Sequence, residues 1–174
     1  SCLNQTYRNF EVILIFSQLN NLKFLRNDFK TKIKYLKVPK QINPLRDQLY
    51  KIKQGITFSK GDFIFLLDGD DEFKQDKLKE IISLKNKNSI ILDDHVLFKD
   101  NSFIYKKKKI YKNFKFYKLF FNPWPDKICT SCISGSKKMF QDFFKNLKIN
   151  SINYLAVDIL LIIFYLEKIY IFNK

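Results

Sequence analysis

The sequence predicts a mostly parallel α/β sheet flanked by helices, with a later antiparallel excursion. Two observations carry this. Short β-branched and aromatic runs alternate along the chain with stretches of helical periodicity, the order that builds parallel strands joined by crossover helices. The composition also supplies a core: of 174 residues, 46% are apolar and 28% charged, with only four Gly and four Pro. Collagen-like, linker-like and disordered chains are excluded on that ground. At this length one domain is expected, burying roughly 70% of its unfolded surface.

Residues 10–16, FEVILIF, have the pattern of a strand buried on both faces. A weaker strand is expected over 33–38, stopping before Pro39. From 44 to 59, Leu45, Leu49, Ile52 and Ile56 recur at helical spacing behind Pro44, which suits a first helical position. Gly55 is expected to weaken the last turn. Lys60-Gly61 then breaks the chain before a fully apolar strand at 63–67, which runs into Asp68-Gly69-Asp70-Asp71-Glu72.

A helix over 75–87 follows, with Leu78, Ile81, Ile82 and Leu84 inward. Next come a strand at 89–92 and a hairpin at 96–105 turned at Asp100-Asn101. Asn122-Pro123-Trp124-Pro125 interrupts regular structure. Beyond it the pattern predicts a strand at 128–133, helices over 136–147 and 154–166, and a final strand at 169–172. No internal repeat is present.

Lys and Arg number 32 against 17 acids, a net charge of +15, and Arg occurs only at positions 8, 26 and 46. The surplus is therefore lysine, which reads as a solvated surface before it reads as attraction to anionic lipid or nucleic acid. Lys106 to Lys109, among Tyr105, Tyr111, Phe114, Phe116 and Tyr117, reads as a solvated hairpin with its aromatics turned inward. An anionic bilayer and single-stranded nucleic acid are the alternative partners for that stretch.

Three cysteines cannot all pair within one chain, so a reducing, cytoplasmic compartment is expected. Cys129-Thr130-Ser131-Cys132 has no second cysteine pair, and is read as two half-buried thiols on a strand rather than a zinc or redox site. His95, after Asp93-Asp94, is read as a strand-end residue bonded to its acidic neighbours. Ser1 is followed by no basic leader or apolar signal core, and the chain is expected to start mid-protein. Residues 149–166 are nearly free of charge but contain Asp158, which favours a buried helix over a membrane span.

An apolar strand ending in Asp-Gly-Asp-Asp places carboxylates at the carboxyl edge of a parallel sheet, where ligands of open α/β folds bind. Carboxylates two apart, joined by glycine, can converge on a hard cation that neutralises a diphosphate. The same acids can instead form a solvated turn capping the next helix. Residues 48–73, read as Q-x-x-K-I-K-Q-G-I-T-F-S-K-G-D-F-I-F-L-L-D-G-D-D-E-F, resemble the nucleotide-sugar half of the family 2 glycosyltransferases of GT-A, Rossmann-type fold. Residues 1–16 resemble the end of that family's first helix and its second strand. Residues 127–161, with T-S-C-I-S-G-S-K-K and A-V-D-I-L-L, resemble its acceptor-side strand and the helix that carries its catalytic carboxylate.

The resemblance implies one glycosyltransferase-like domain with a nucleotide-sugar half over 1–92 and an acceptor-side half over 93–174. It makes Asp70 the direct ligand of Mg²⁺ or Mn²⁺, with Asp68 holding the ribose or the metal and Gly69 and Asp71 completing the nucleotide-sugar turn. Asp158 falls at the general base; Thr130 and Ser131 fall on the acceptor side. Trp124 is a candidate sugar-stacking platform, with core packing as its alternative.

The sequence also departs from the family pattern. The chain is expected to begin after the family's opening strand, the family's Asp-Asp-Gly-Ser turn is here Phe16-Ser17-Gln18-Leu19-Asn20, and its Arg-Asn pair falls on Ile52-Lys53. Arg46 and Lys53, two helical turns apart, are the expected replacement cations beside the diphosphate. A fragment or a degenerate copy would explain these departures.

The implied activity is inverting transfer of a sugar from a nucleotide-diphosphate donor to a hydroxyl acceptor, a glycan or lipid-linked molecule, in surface-polysaccharide synthesis. Peripheral contact with the anionic inner face of a membrane would suit it, and nucleic acid would not be a partner. The alternative is a truncated or inactive domain that binds a membrane or nucleic acid through its lysines. A nucleotidyltransferase is disfavoured because no Gly-rich phosphate loop stands near the start.

Overall fold

In a computed structural model, the chain is described at residues 1–18, 33–84, 90–93, 97–99, 102–104, 129–149, 152, 154–165 and 169–172. The strands are β1 (Val12–Phe16), β2 (Ile33–Lys37), β3 (Phe63–Phe65), β4 (Ile90–Asp93), β5 (Leu97–Lys99), β6 (Ser102–Ile104), β7 (Ile133–Ser136) and β8 (Ile169–Phe172). The helices are α1 (Pro44–Phe58), α2 (Lys77–Ser83), α3 (Lys137–Asn146) and α4 (Val157–Phe164).

The fold is mixed α/β. β1 and β2 pair in parallel, and a four-stranded sheet runs in the order β3-β7-β4-β8. In that sheet β7 is antiparallel to both β3 and β4, while β8 lies parallel to β4. β5 and β6 form the expected hairpin.

α1 begins where the sequence places it. The Asn43 side chain accepts from the N–H groups of Leu45 (2.9 Å) and Arg46 (3.2 Å), which caps the helix behind Pro44. Leu49 and Ile56 reach the core at 0% and 3% exposure. Gly55 does not end the helix early, because the local propensity cost is outweighed by packing: a Cβ there would lie 2.2 Å from Ile15 Cδ1, so glycine lets α1 settle on β1. β1 is not buried on both faces as expected. Ile15 faces α1, whereas Leu14 on the opposite face is 38% exposed.

The largest departure lies around β7. Residues 130–132 form a 3-10 turn, and the strand occupies Ile133–Ser136, later than the Ile- and Thr-containing stretch that predicts it. Small residues fit the middle of a sheet covered on both faces. Ile133, Ser134 and Gly135 are all buried. Ser136 then caps α3, its hydroxyl accepting from Met139 N–H at 3.4 Å.

α3 turns Phe140 and Phe143, both 0% exposed, onto Leu49, Ile90, Ile133 and Leu161. Each such aromatic contributes about 2–3 kcal/mol by leaving water. α4 is apolar on most of its surface and is shorter than expected at eight residues. Among the described residues, no helix is long and apolar enough to cross a membrane. Trp124, His95 and the lysine-aromatic stretch at 105–117 lie outside the described residues.

Candidate active site

The acidic turn leaves the carboxyl end of β3. Leu66 is buried, Asp68 is half-buried, and Gly69, Asp70, Asp71 and Glu72 are exposed. The N–H of Asp71 donates to the carbonyl of Asp68 at 3.2 Å, closing the turn. Gly69 does not adopt a left-handed φ, and a Cβ there would meet nothing within 4 Å. Neither backbone conformation nor packing demands glycine at this position, and the space over it is open.

Strand pairing brings a second segment to the same place. β7 runs antiparallel to β3, and the N–H of Leu66 donates to Ile133 O at 3.1 Å, so the residues before Ile133 continue past the end of β3. Ser131 Oγ there accepts the Asp68 N–H at 2.8 Å. From α1, Gln48 Nε2 reaches both Asp68 Oδ1 and Thr130 Oγ1 at 3.3 Å. Thr130 and Ser131 are each 6% exposed, so their hydroxyls face the turn rather than solvent.

Lys77, the first residue of α2, supports this junction from below. Its ammonium donates to Ser131 O at 2.6 Å and to Asp93 Oδ1 at 3.0 Å, and stands 4.2 Å from the centre of the Phe73 ring. The carboxyl ends of β3 and β4 are thereby tied to one 3-10 turn, at the sheet edge where ligands of α/β folds bind.

Burial raises the Asp68 carboxyl above the ordinary value; hydrogen bonds from Gln48 and Thr130 oppose the rise, and the charges of Asp71 and Asp70 add to it. Burial and the neighbouring carboxylates thus disfavour the ionised form of Asp68, and a cation placed among these groups would relieve that cost. No group of three or more His, Cys, Asp or Glu side chains stands ready to hold a metal among the described residues.

Asp158 is the second residue of α4 and half-buried, and its Oδ1 accepts from Ile159 N–H at 2.8 Å. Burial raises its carboxyl too, against the backbone hydrogen bonds it accepts. No hydrogen bond joins it to the acidic turn among the described residues. Arg46 and Lys53 share a face, as their spacing predicts. They line a cleft of about 670 Å³ with Tyr50 and Lys148, and Arg46 Nε donates to Ile152 O at 2.8 Å. On the helix they stand about 140–160° from Gln48, and the acidic turn does not line their cleft.

Gln48 opens the motif at 48–73 with no role legible in the sequence, and nothing in the sequence singles out Lys77. Both act across long stretches of chain, where no local pattern marks them.

The family model for glycosyl transferase family 2 matches residues 1–144. The chain belongs to this family. The matched span includes the acidic turn, Gln48, Lys77 and the 3-10 turn, and it ends before Asp158. A comparison with curated proteins finds no match. Membership in family 2 implies glycosyl transfer, with a nucleotide-sugar donor and an acceptor in general terms, and the mixed α/β architecture is consistent with a GT-A-like fold.

Proposed function

We propose that this family 2 domain is an inverting transferase that moves a sugar from a nucleotide-diphosphate donor to a hydroxyl of a glycan or lipid-linked acceptor. The observation that carries the reading is the junction at the end of β3, where Ser131 and Gln48 fix Asp68 and leave Asp70 and Asp71 open to solvent. Open carboxylates beside an unobstructed glycine suit the close approach of a diphosphate and its counter-ion.

The donor set fits Mg²⁺ or Mn²⁺. Carboxylate oxygens are hard ligands, and such ions commonly take one or two carboxylates and complete their shell with phosphate oxygens and water. Asp70, with Asp68 beside it, would hold the ion. Bound there, it would supply charge neutralisation for the departing diphosphate.

Asp158 is assigned as the base that takes the proton from the attacking acceptor hydroxyl, by single displacement at the anomeric carbon. Its half-buried carboxylate has a raised proton affinity, as a base working near neutral pH requires. Arg46 and Lys53 are assigned to anionic groups of the substrates. Thr130 and Ser131 shape the wall between donor and acceptor, and Trp124 is assigned to sugar stacking. The lysine surplus suits work at the inner face of an anionic membrane in surface-polysaccharide synthesis.

Incubation with a panel of nucleotide sugars, Mn²⁺ and acceptor glycans tests the reading. Nucleotide release is expected from the native chain and lost in Asp70→Ala and Asp158→Asn. Equal release by all three would refute it.

A further inference from the structure

The stretch Cys129-Thr130-Ser131-Cys132 carries a second chemistry. The N–H of Cys132 donates to Cys129 O at 2.9 Å, closing one 3-10 turn that brings both side chains to the same side. Their Sγ atoms lie 3.0 Å apart, and neither cysteine is in a disulfide. A small side-chain adjustment takes that separation to a bond of about 2.05 Å, and residues three apart in a tight turn have the Cα spacing a disulfide needs.

The two thiols are unequal. Cys129 is half-buried, whereas Cys132 is 2% exposed. Hydrogen bonding with Cys132 lowers the Cys129 pKa against the effect of burial, and the same bond together with burial raises that of Cys132. An accessible thiol with thiolate character beside a buried one is the division of labour of an attacking and a resolving cysteine.

We propose that Cys129 and Cys132 form a reversible dithiol–disulfide pair, a redox-modification site set against the acidic turn. The missing second pair, which argued against this in the sequence, excludes a four-cysteine zinc site but leaves two-thiol chemistry open.

The oxidant is a small-molecule disulfide of the glutathione class. The Cys129 thiolate attacks one of its sulfurs, forms a mixed disulfide and expels one thiolate, which takes up the proton that Cys129 gave up. Cys132 then loses its proton and attacks Cys129 Sγ, and the second small thiol leaves with that proton. Two protein thiols are oxidised and one external disulfide becomes two thiols, with no other reactant; excess thiol reverses both steps. The ring so closed contains Thr130 and Ser131, whose hydroxyls hold Gln48 and Asp68, so oxidation acts directly on the support of the turn. The exchange does not depend on glycosyl transfer, and its test stands whether or not that reading does.

The full chain carrying Cys2→Ser is equilibrated with mixtures of oxidised and reduced glutathione, then quenched, alkylated and mapped by mass spectrometry. The expected product is a Cys129–Cys132 cross-link without a glutathione adduct, reversed as reduced glutathione is raised. Adding Cys132→Ser should instead trap a stable adduct at Cys129, while adding Cys129→Ser should leave Cys132 reacting many-fold more slowly. At a fixed glutathione ratio the cross-linked fraction should fall in urea, because the fold holds the sulfurs together. Two independent adducts, no reaction, or an equal cross-linked fraction in urea would overturn the proposal.

Discussion

The backbone N–H of Asp68 donates a 2.8 Å hydrogen bond to the hydroxyl of Ser131, 63 residues further along the chain. That bond sets where the acidic turn leaves the sheet edge, because Ser131 is itself held through its carbonyl by Lys77. The candidate site is therefore an assembly of three distant segments, and its integrity depends on residues that need not touch a substrate.

Lys77 is the first to test. It pairs with Asp93 at 2.9 Å, and the two side chains are only 14% and 8% exposed. Removing one partner of a buried pair costs about 3–5 kcal/mol, because the remaining charge keeps its desolvation penalty. Lys77→Met should lower the stability measured by urea unfolding by roughly 3 kcal/mol, and adding Asp93→Leu should restore most of it. An unchanged midpoint in Lys77→Met would contradict the buried-pair account.

Gly55 and Ile15 should behave as a coupled pair. Alanine at 55 gains about 1 kcal/mol of helix propensity, but its Cβ would lie 2.2 Å from Ile15 Cδ1. Gly55→Ala alone is expected to destabilise by about 1 kcal/mol through overpacking, and Ile15→Val alone by about 1 kcal/mol through lost packing. Together they should be near neutral, since valine lacks the clashing methyl. Additive losses in thermal unfolding would show that α1 does not rest on β1 at this point.

These two contacts also mark how far the sequence can be read. α1 is legible because its cap, its Pro44 and its apolar spacing are all local; β8 and the β5–β6 hairpin likewise fall within their predicted bounds. β7 is displaced because Ser134 and Gly135 look like loop residues, although β3 and β4 enclose Ser134 and Gly135 pairs with Ile64 of β3. The acidic turn is visible as a motif, yet the residues that hold it are not. Gln48 meets Thr130 across 82 residues and Lys77 meets Ser131 across 54, and no periodicity reports a contact at that range.

Asp158 makes opposite predictions for stability and activity. Burial raises its carboxyl above the ordinary 3.8, so between that value and the raised one the native state binds more protons than the unfolded state. Stability then falls as pH rises through the window, and the ionised group costs stability at neutral pH. Asp158→Asn keeps the acceptor for Ile159 N–H. It should raise the melting temperature at pH 7, by the equivalent of about 1 kcal/mol or less for a half-exposed group, and the gain should vanish below pH 3.8. If Asp158 is the base, the same substitution lowers turnover by about 10²–10⁴-fold. A melting temperature that falls at pH 7 would mean that the carboxylate is stabilised in the fold rather than strained by it.

The most direct measurement is calorimetric titration of the full chain with a nucleoside diphosphate in the presence of Mn²⁺. The account predicts binding that disappears when Mn²⁺ is chelated, weakens at least about tenfold in Asp70→Ala with the loss of a charged ligand contact, and weakens in Ser131→Ala, which leaves the Asp70 carboxylate in place but releases the turn. Binding of equal strength in all three proteins, with or without Mn²⁺, would contradict it and remove the acidic turn from the site.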